Sequence, residues 1–244
     1  MSQATSAVHA HTDASHSHHD FARANQAHFD EHADKLEEEH PYARNFGVLS
    51  VNAMRDTFPA LFDKEHTEVL DYACGTGMFS QALRPYVKSI VGADISQASV
   101  DVYNKQAADQ GFASQMRAVR AELKGEPGEL GGAKFDLITC SAAYHHFADI
   151  GTVTRALAFF LKPGGALLVT DIKAAPDGAM LVPETYHHVV PHRHGMTEER
   201  MRTTFEGAGL VEFALKDMQA VKFQPDAPEI MWFVARGVKP AEGV

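Results

Sequence analysis

The sequence predicts an α/β fold: a mostly parallel seven-stranded sheet with helices on both faces and a terminal antiparallel strand pair. Three observations predict it. From residue 68 onward, short apolar runs alternate with helical segments, the pattern of parallel strands joined by crossover helices. The first run, Val69-Leu70-Asp71-Tyr72, passes directly into a glycine turn, Ala73-Cys74-Gly75-Thr76-Gly77, and the second ends on a carboxylate, Asp94. Past residue 210, two more apolar runs flank a loop holding Pro225 and Pro228, which suits a hairpin-like antiparallel pair.

Residues 1–20 are Ala, Ser, Thr and His with almost no large apolar side chain, so ordering them buries too little to offset the lost entropy. A mobile tail is expected. His9, His11, His16, His18 and His19 follow no closed zinc spacing, and no metal site is assigned to them. Residues 21–64 turn helical, with Pro41 dividing two helices. The remainder, residues 65–244, forms the main domain, with strands expected at 68–72, 89–93, 115–119, 135–140 and 166–170, a helix at 198–207, and closing strands at 211–216 and 230–235. Residues 173–196 form an insertion after the fifth strand.

Gly75 and Gly77 lack a Cβ and accept positive φ, so amides at this turn and the following helix start can face the polar part of a nucleotide-like ligand. Asp71 is placed to accept a bond from an ammonium group or its water. Asp94, at the end of the neighbouring strand, suits a ribose diol or, as an alternative, caps the next helix.

These segments, with Phe135-Asp136-Leu137-Ile138-Thr139-Cys140-Ser141 and Leu161-Lys162-Pro163-Gly164-Gly165-Ala166, resemble class I S-adenosylmethionine-dependent methyltransferases over residues 65–175. Within that class they resemble the small-molecule enzymes of ubiquinone and menaquinone biosynthesis. The resemblance implies a Rossmann-like sheet, S-adenosyl-L-methionine as cofactor and a small-molecule acceptor. It also implies that Asp71, Ala73, Cys74, Gly75 and Gly77 hold the methionyl end, Asp94 binds the ribose and Ile95 flanks the adenine. Ala73 stands where the family commonly has glycine. Glu122 is the candidate near the adenine amino group, with a solvated loop charge the alternative. The N-terminal helices would close over the cofactor, turning Asn25 and Phe29 toward it, although packing on the sheet gives the same pattern.

Methyl transfer from a sulfonium needs a positioned nucleophile, exclusion of water and, for a protonated acceptor, a base. The fourth strand ends at Ser141, expected at the cofactor, and runs on into Tyr144-His145-His146, where open α/β sheets place ligand-contacting residues. His145 and His146 are the acid–base candidates, since imidazole titrates near neutrality. A packing or hydrogen-bonding role is the alternative for both. Tyr144 is expected to shield the sulfonium or to pack as a wall. In the insertion, Tyr186, His187 and His188 line a polar substrate pocket or belong to a solvated loop, with His192 and His194 beside them.

The formal net charge of −10 argues against a phosphate-tracking surface, so no nucleic-acid partner is expected. No apolar stretch approaches the roughly 18–20 residues of a membrane span. Cys74 and Cys140 form no disulfide framework, and a cytoplasmic location is expected. Two rival readings share the nucleotide fold: an NAD(P)-dependent oxidoreductase and a non-catalytic cofactor-binding protein. Against the first, Ser80 stands where a third glycine of Gly-x-Gly-x-x-Gly belongs. Acceptor identity, the atom methylated and the oligomeric state leave no sequence signature.

Overall fold

The computed structural model describes residues 10–39, 42–222 and 229–241. Along it run α1 (Ala10–His32), α2 (Leu36–Glu39), α3 (Ala43–Thr57), β1 (Glu68–Tyr72), α4 (Met78–Leu83), β2 (Ser89–Asp94), α5 (Gln97–Asp109), β3 (Met116–Arg120), β4 (Phe135–Ser141), α6 (Ile150–Phe160), β5 (Leu161–Ile172), α7 (Glu198–Gly207), β6 (Val211–Asp217) and β7 (Trp232–Val238). The strands form one sheet in the order β3-β2-β1-β4-β5-β7-β6. β1 to β5 pair in parallel, and β7 pairs antiparallel with both β5 and β6. The expected fold class is the observed one.

Neighbouring residues in the strands serve opposite faces, which is why these runs are continuously apolar. Leu70, Ile138 and Leu167 join the core that α6 and α7 cover through Leu157 and Phe205. Val69, Leu137 and Leu168 join the core under α3, α4 and α5, with Met54, Leu83 and Tyr103. A third apolar cluster, Phe46, Val189, Val190 and Trp232 among its members, sits between α3, the insertion and β7. β1 has β2 on one side and β4 on the other, so the strand order reverses there and opens a crevice at the carboxyl ends.

The helices carry local stop and start signals. Ser96, Asp149 and Thr197 cap α5, α6 and α7 by accepting from the backbone N–H three residues on. Gly165 marks the tight turn into the paired stretch of β5, where a Cβ would lie 2.9–3.0 Å from three carbonyl oxygens.

Two expectations are corrected. Residues 10–20, expected in a mobile tail, form the first turns of α1, continuous with the helix expected further on. Ala10 and Ala14 are strong helix formers, and the segment holds no proline. β5 runs from Leu161 to Ile172 rather than 166–170: Leu161 pairs with Phe135 of β4, and Ala166 to Ile172 are matched by β7. Residues 1–9, Pro41, Pro225 and Pro228 lie outside the described residues, as do the side chains of His11, His16, His18 and His19. Among the described residues, no helix is long and apolar enough to cross a membrane.

Candidate functional site

At the end of β1 the chain enters left-handed backbone at Ala73 (φ 56°), Gly75 (φ 52°) and Gly77 (φ 90°). The two glycines serve different ends. A Cβ on Gly75 would meet nothing within 4 Å, so that residue leaves bare backbone beside open space. A Cβ on Gly77 would lie 2.6 Å from the Tyr103 ring, so there the missing side chain lets α5 pack against the turn. Ala73 holds its conformation with a methyl group, at a cost of roughly 1–2 kcal/mol.

Asp94 closes this corner. Its Oδ2 accepts from Gly75 N at 2.8 Å and its Oδ1 from Ser96 N at 2.9 Å. The side chain is 7% exposed. Burial raises its pKa, opposed by the N–H donors of Ser96 and Gly75.

Between the carboxyl ends of β1, β2 and β4 and the inner face of α1 lies a cleft of about 930 Å3, counted to its open mouth. Of the residues singled out from the sequence, Ala73, Gly75, Asp94, Ile95, Glu122, Phe29 and His146 line it. Sequence reasoning missed Ala22, Leu36, Tyr72, Phe147 and Val153 on the same wall. It also passed over Ala93, Ala121, Ala142 and Ala143, whose small side chains at strand ends were the available signal for space. Among the described residues the wall carries no Lys or Arg, while Asp94 and Glu122 are acidic. Glu122 also pairs with Lys124 at 2.8 Å, so it is both on the wall and partly solvated.

Four expected cofactor contacts are off the cleft wall. Asp71 lies beneath the turn, where Ser80 Oγ (2.5 Å) and Thr139 Oγ1 (3.0 Å) donate to its two oxygens. It ties β1, α4 and β4 together, and burial pushes its pKa up to about 7 despite those bonds. The Cys74 thiol fills the space above Gly92, Gly77 packs on Tyr103, and Ser141 shares a hydrogen bond with Thr170 at 2.8 Å. None of the four lines the cleft.

The turn after β4 separates its three ring residues. Tyr144 is fully buried, with its hydroxyl 2.9 Å from Thr154 Oγ1, so of its two expected roles the ring packs, in the core under α6, and does not face the cleft. His145 is 9% exposed and off the cleft wall, its Nδ1–H donating to Asp171 Oδ1 at 3.0 Å while its backbone N–H donates to Oδ2. His146 lines the cleft, with Nδ1 3.0 Å from Val189 O. A carbonyl can only accept, so Nδ1 carries the proton and Nε2 keeps its lone pair. Burial, then the neighbouring His145 and His28, holds the His146 pKa well below the ordinary 6.5, against the Val189 bond.

No residue of the insertion is on the cleft wall. Tyr186 and His188 pack edge-on against the His28 ring of α1, and His187 donates through Nε2 to Val182 O at 3.0 Å. None of the three is on the cleft wall. His192 likewise gives its Nε2–H to Phe147 O at 2.7 Å. In a segment without regular structure, imidazole N–H groups satisfy carbonyls that no ladder pairs. Among the described residues no group of three metal-ligating side chains gathers.

α1 is fastened over the cleft at two points. Asn25 Nδ2 donates to Val189 O at 3.0 Å, and Asp30 Oδ1 accepts from Ser96 Oγ at 2.7 Å and Ala98 N at 3.2 Å.

Comparison with known families places this geometry. The profile described as "Methyltransferase domain" matches residues 42–212, well over half of the chain. This chain belongs to that methyltransferase family. An uncharacterised methyltransferase of Schizosaccharomyces pombe is 37% identical over 154 residues, covering 60% of this chain and 54% of its own, so the chain spans about half the length of that relative. A ubiquinone biosynthesis O-methyltransferase of Chelativorans sp. is 29% identical over 196 residues, 74% of this chain and 75% of that one. Among solved structures, phosphoethanolamine N-methyltransferase 2 of Haemonchus contortus, in complex with phosphomonomethylethanolamine and S-adenosylhomocysteine, superposes with a TM-score of 0.57 at 16% identity. That alignment covers 78% of this chain and 52% of the other, and it speaks for a shared fold. Within this methyltransferase fold, the glycine turn and Asp94 occupy the crevice where the strand order reverses.

Proposed function

We propose that this methyltransferase transfers the methyl group of S-adenosylmethionine to a protonated nucleophile on a small organic acceptor, with His146 taking the proton. One observation carries the reading: Asp94 and Gly75 share a continuous wall with the unprotonated Nε2-bearing ring of His146, beneath α1. The cleft's chemistry fits the cofactor. Gly75 offers bare backbone, Asp94 a carboxylate for a diol and Ile95 an apolar flank, while the lack of cationic wall residues suits a sulfonium and an ammonium. The Haemonchus contortus neighbour, which shares the fold, holds S-adenosylhomocysteine.

Bound there, the cofactor supplies a methyl group activated by positive sulfur. The protein's work is then orientation, exclusion of water and removal of one proton. Asp94 and the turn at Gly75 fix the nucleoside, Phe29 and Phe147 wall off solvent, and His146 Nε2 accepts the proton as the acceptor's O–H, N–H or S–H bond breaks. A low pKa leaves this imidazole unprotonated at neutral pH and therefore available. A panel of catechol, thiol and amine acceptors, scored by S-adenosylhomocysteine release, tests the reading. Turnover of at least one acceptor, lost in His146→Gln with cofactor affinity retained, is expected. Cofactor binding without turnover of any acceptor, or a fully active His146→Gln, would overturn it.

A further inference from the structure

We propose that Asn25 of α1 is the positioning residue for His146, holding the Val189 carbonyl that fixes the imidazole in its Nδ1–H tautomer with Nε2 free. The proposal rests on His146 being the proton acceptor. Val189 O accepts two bonds at 3.0 Å, one from His146 Nδ1 and one from Asn25 Nδ2, which fills both of its lone-pair directions. The Asn25 amide cannot be reversed: its nitrogen also donates to Phe21 O at 2.9 Å and reaches His146 O at 3.5 Å, so a flip would set oxygen against three carbonyls. Asn25 is only 4% exposed, and its Oδ1 has no hydrogen-bond partner among the described residues.

Position on the lid gives this contact its consequence. Phe29, one turn along α1, sets its ring edge-on to His146 at a centroid distance of 5.5 Å. The same helix thus covers the cleft through Phe29 and, through Asn25, holds the carbonyl that sets the His146 tautomer. The titratable groups around His146 are His28 on α1, His145 on its own turn with Asp171 of β5 behind it, and His192 of the insertion, which lies beside Arg200.

Nitrogen-15 NMR of histidine-labelled full-length protein reads this directly, with the His146 signals assigned by their loss in His146→Gln. In the wild type the Nδ1–H neutral form is expected at pH 7 and persists below the ordinary titration range. Asn25→Ala should show a mixture of the Nδ1–H and Nε2–H neutral tautomers of His146 at pH 7. With catechol as probe acceptor, its kcat should fall about 10- to 100-fold, the scale of a misplaced catalytic group. Asn25→Gln, which keeps the donor one methylene further out, gives an intermediate mixture and serves if the alanine variant fails to fold. Asp30→Asn loosens the other fastening of α1 without touching Val189 and should leave the His146 tautomer as in the wild type. An unchanged tautomer in Asn25→Ala, or an equal tautomer mixture in Asp30→Asn, would overturn the positioning role. Full turnover by His146→Gln would overturn the base assignment instead.

Discussion

The Asp30 carboxylate and the Ser96 hydroxyl meet at 2.7 Å, joining the helix over the cleft to the strand end that carries Asp94. Ser96 Oγ at the same time accepts from Ser99 N at 3.0 Å, so one hydroxyl caps α5 and fastens α1. The contact holds α1 over the cleft beside Asp94.

Asp30→Ala removes the fastening but leaves the Ser96 cap. Because Asp30 is largely solvent-exposed, the loss of stability should be small, about 0.5–1 kcal/mol. The larger effect falls on kinetics: S-adenosylhomocysteine should dissociate several-fold faster in stopped-flow displacement. An unchanged off-rate would show that α1 does not gate the cleft.

Gly75 and Gly77 should separate function from fold. Gly75→Ala adds a methyl group beside open space, so its strain of roughly 1–2 kcal/mol is accompanied by a clear loss of cofactor affinity. Gly77→Ala drives a Cβ to within 2.6 Å of the Tyr103 ring and should lower the melting temperature far more. Paired thermal melts and calorimetric titrations check this, and equal melting temperatures for the two variants would contradict it.

Asp71 gives a pH signature of stability. Burial first of all raises its folded pKa from 3.8 to about 7, so between those values the folded protein keeps a proton that the unfolded chain releases. That contribution favours the folded state at low pH and is progressively lost as pH rises through the window. Asp71→Asn cannot ionise and should gain stability relative to the wild type as pH climbs from about 4 to 7. A constant difference in melting temperature across that range would contradict the assignment.

Legibility from sequence followed the physics of each part. The parallel strands are buried on both faces and bounded by turn residues, so β1 and α7 coincide with the expected ranges, and the glycine turn and Asp94 stand where the motif spacing put them. Strand ends that carry alanine rather than a chemical group, such as Ala121 and Ala143, signal room by their small size but name no chemistry. Histidines misled in a specific way. His145 and His146 are adjacent, yet one turns to Asp171 and the other to Val189, a choice set by long-range partners 26 and 43 residues away. His187 and His188 serve the loop and α1, because an irregular segment needs donors for its own carbonyls. The role of Val189 belongs to a backbone oxygen, which no side-chain pattern encodes.

Calorimetric titration of the full chain with S-adenosylhomocysteine, beside NADH as the competing nucleotide, bears most directly on the central claim that the Gly75–Asp94 corner holds a sulfonium nucleoside. The expected result is saturable one-to-one binding of S-adenosylhomocysteine, weakened by about 1–3 kcal/mol in Asp94→Ala, with no heat from NADH. Binding of NADH without S-adenosylhomocysteine, or equal affinity in Asp94→Ala, would contradict it.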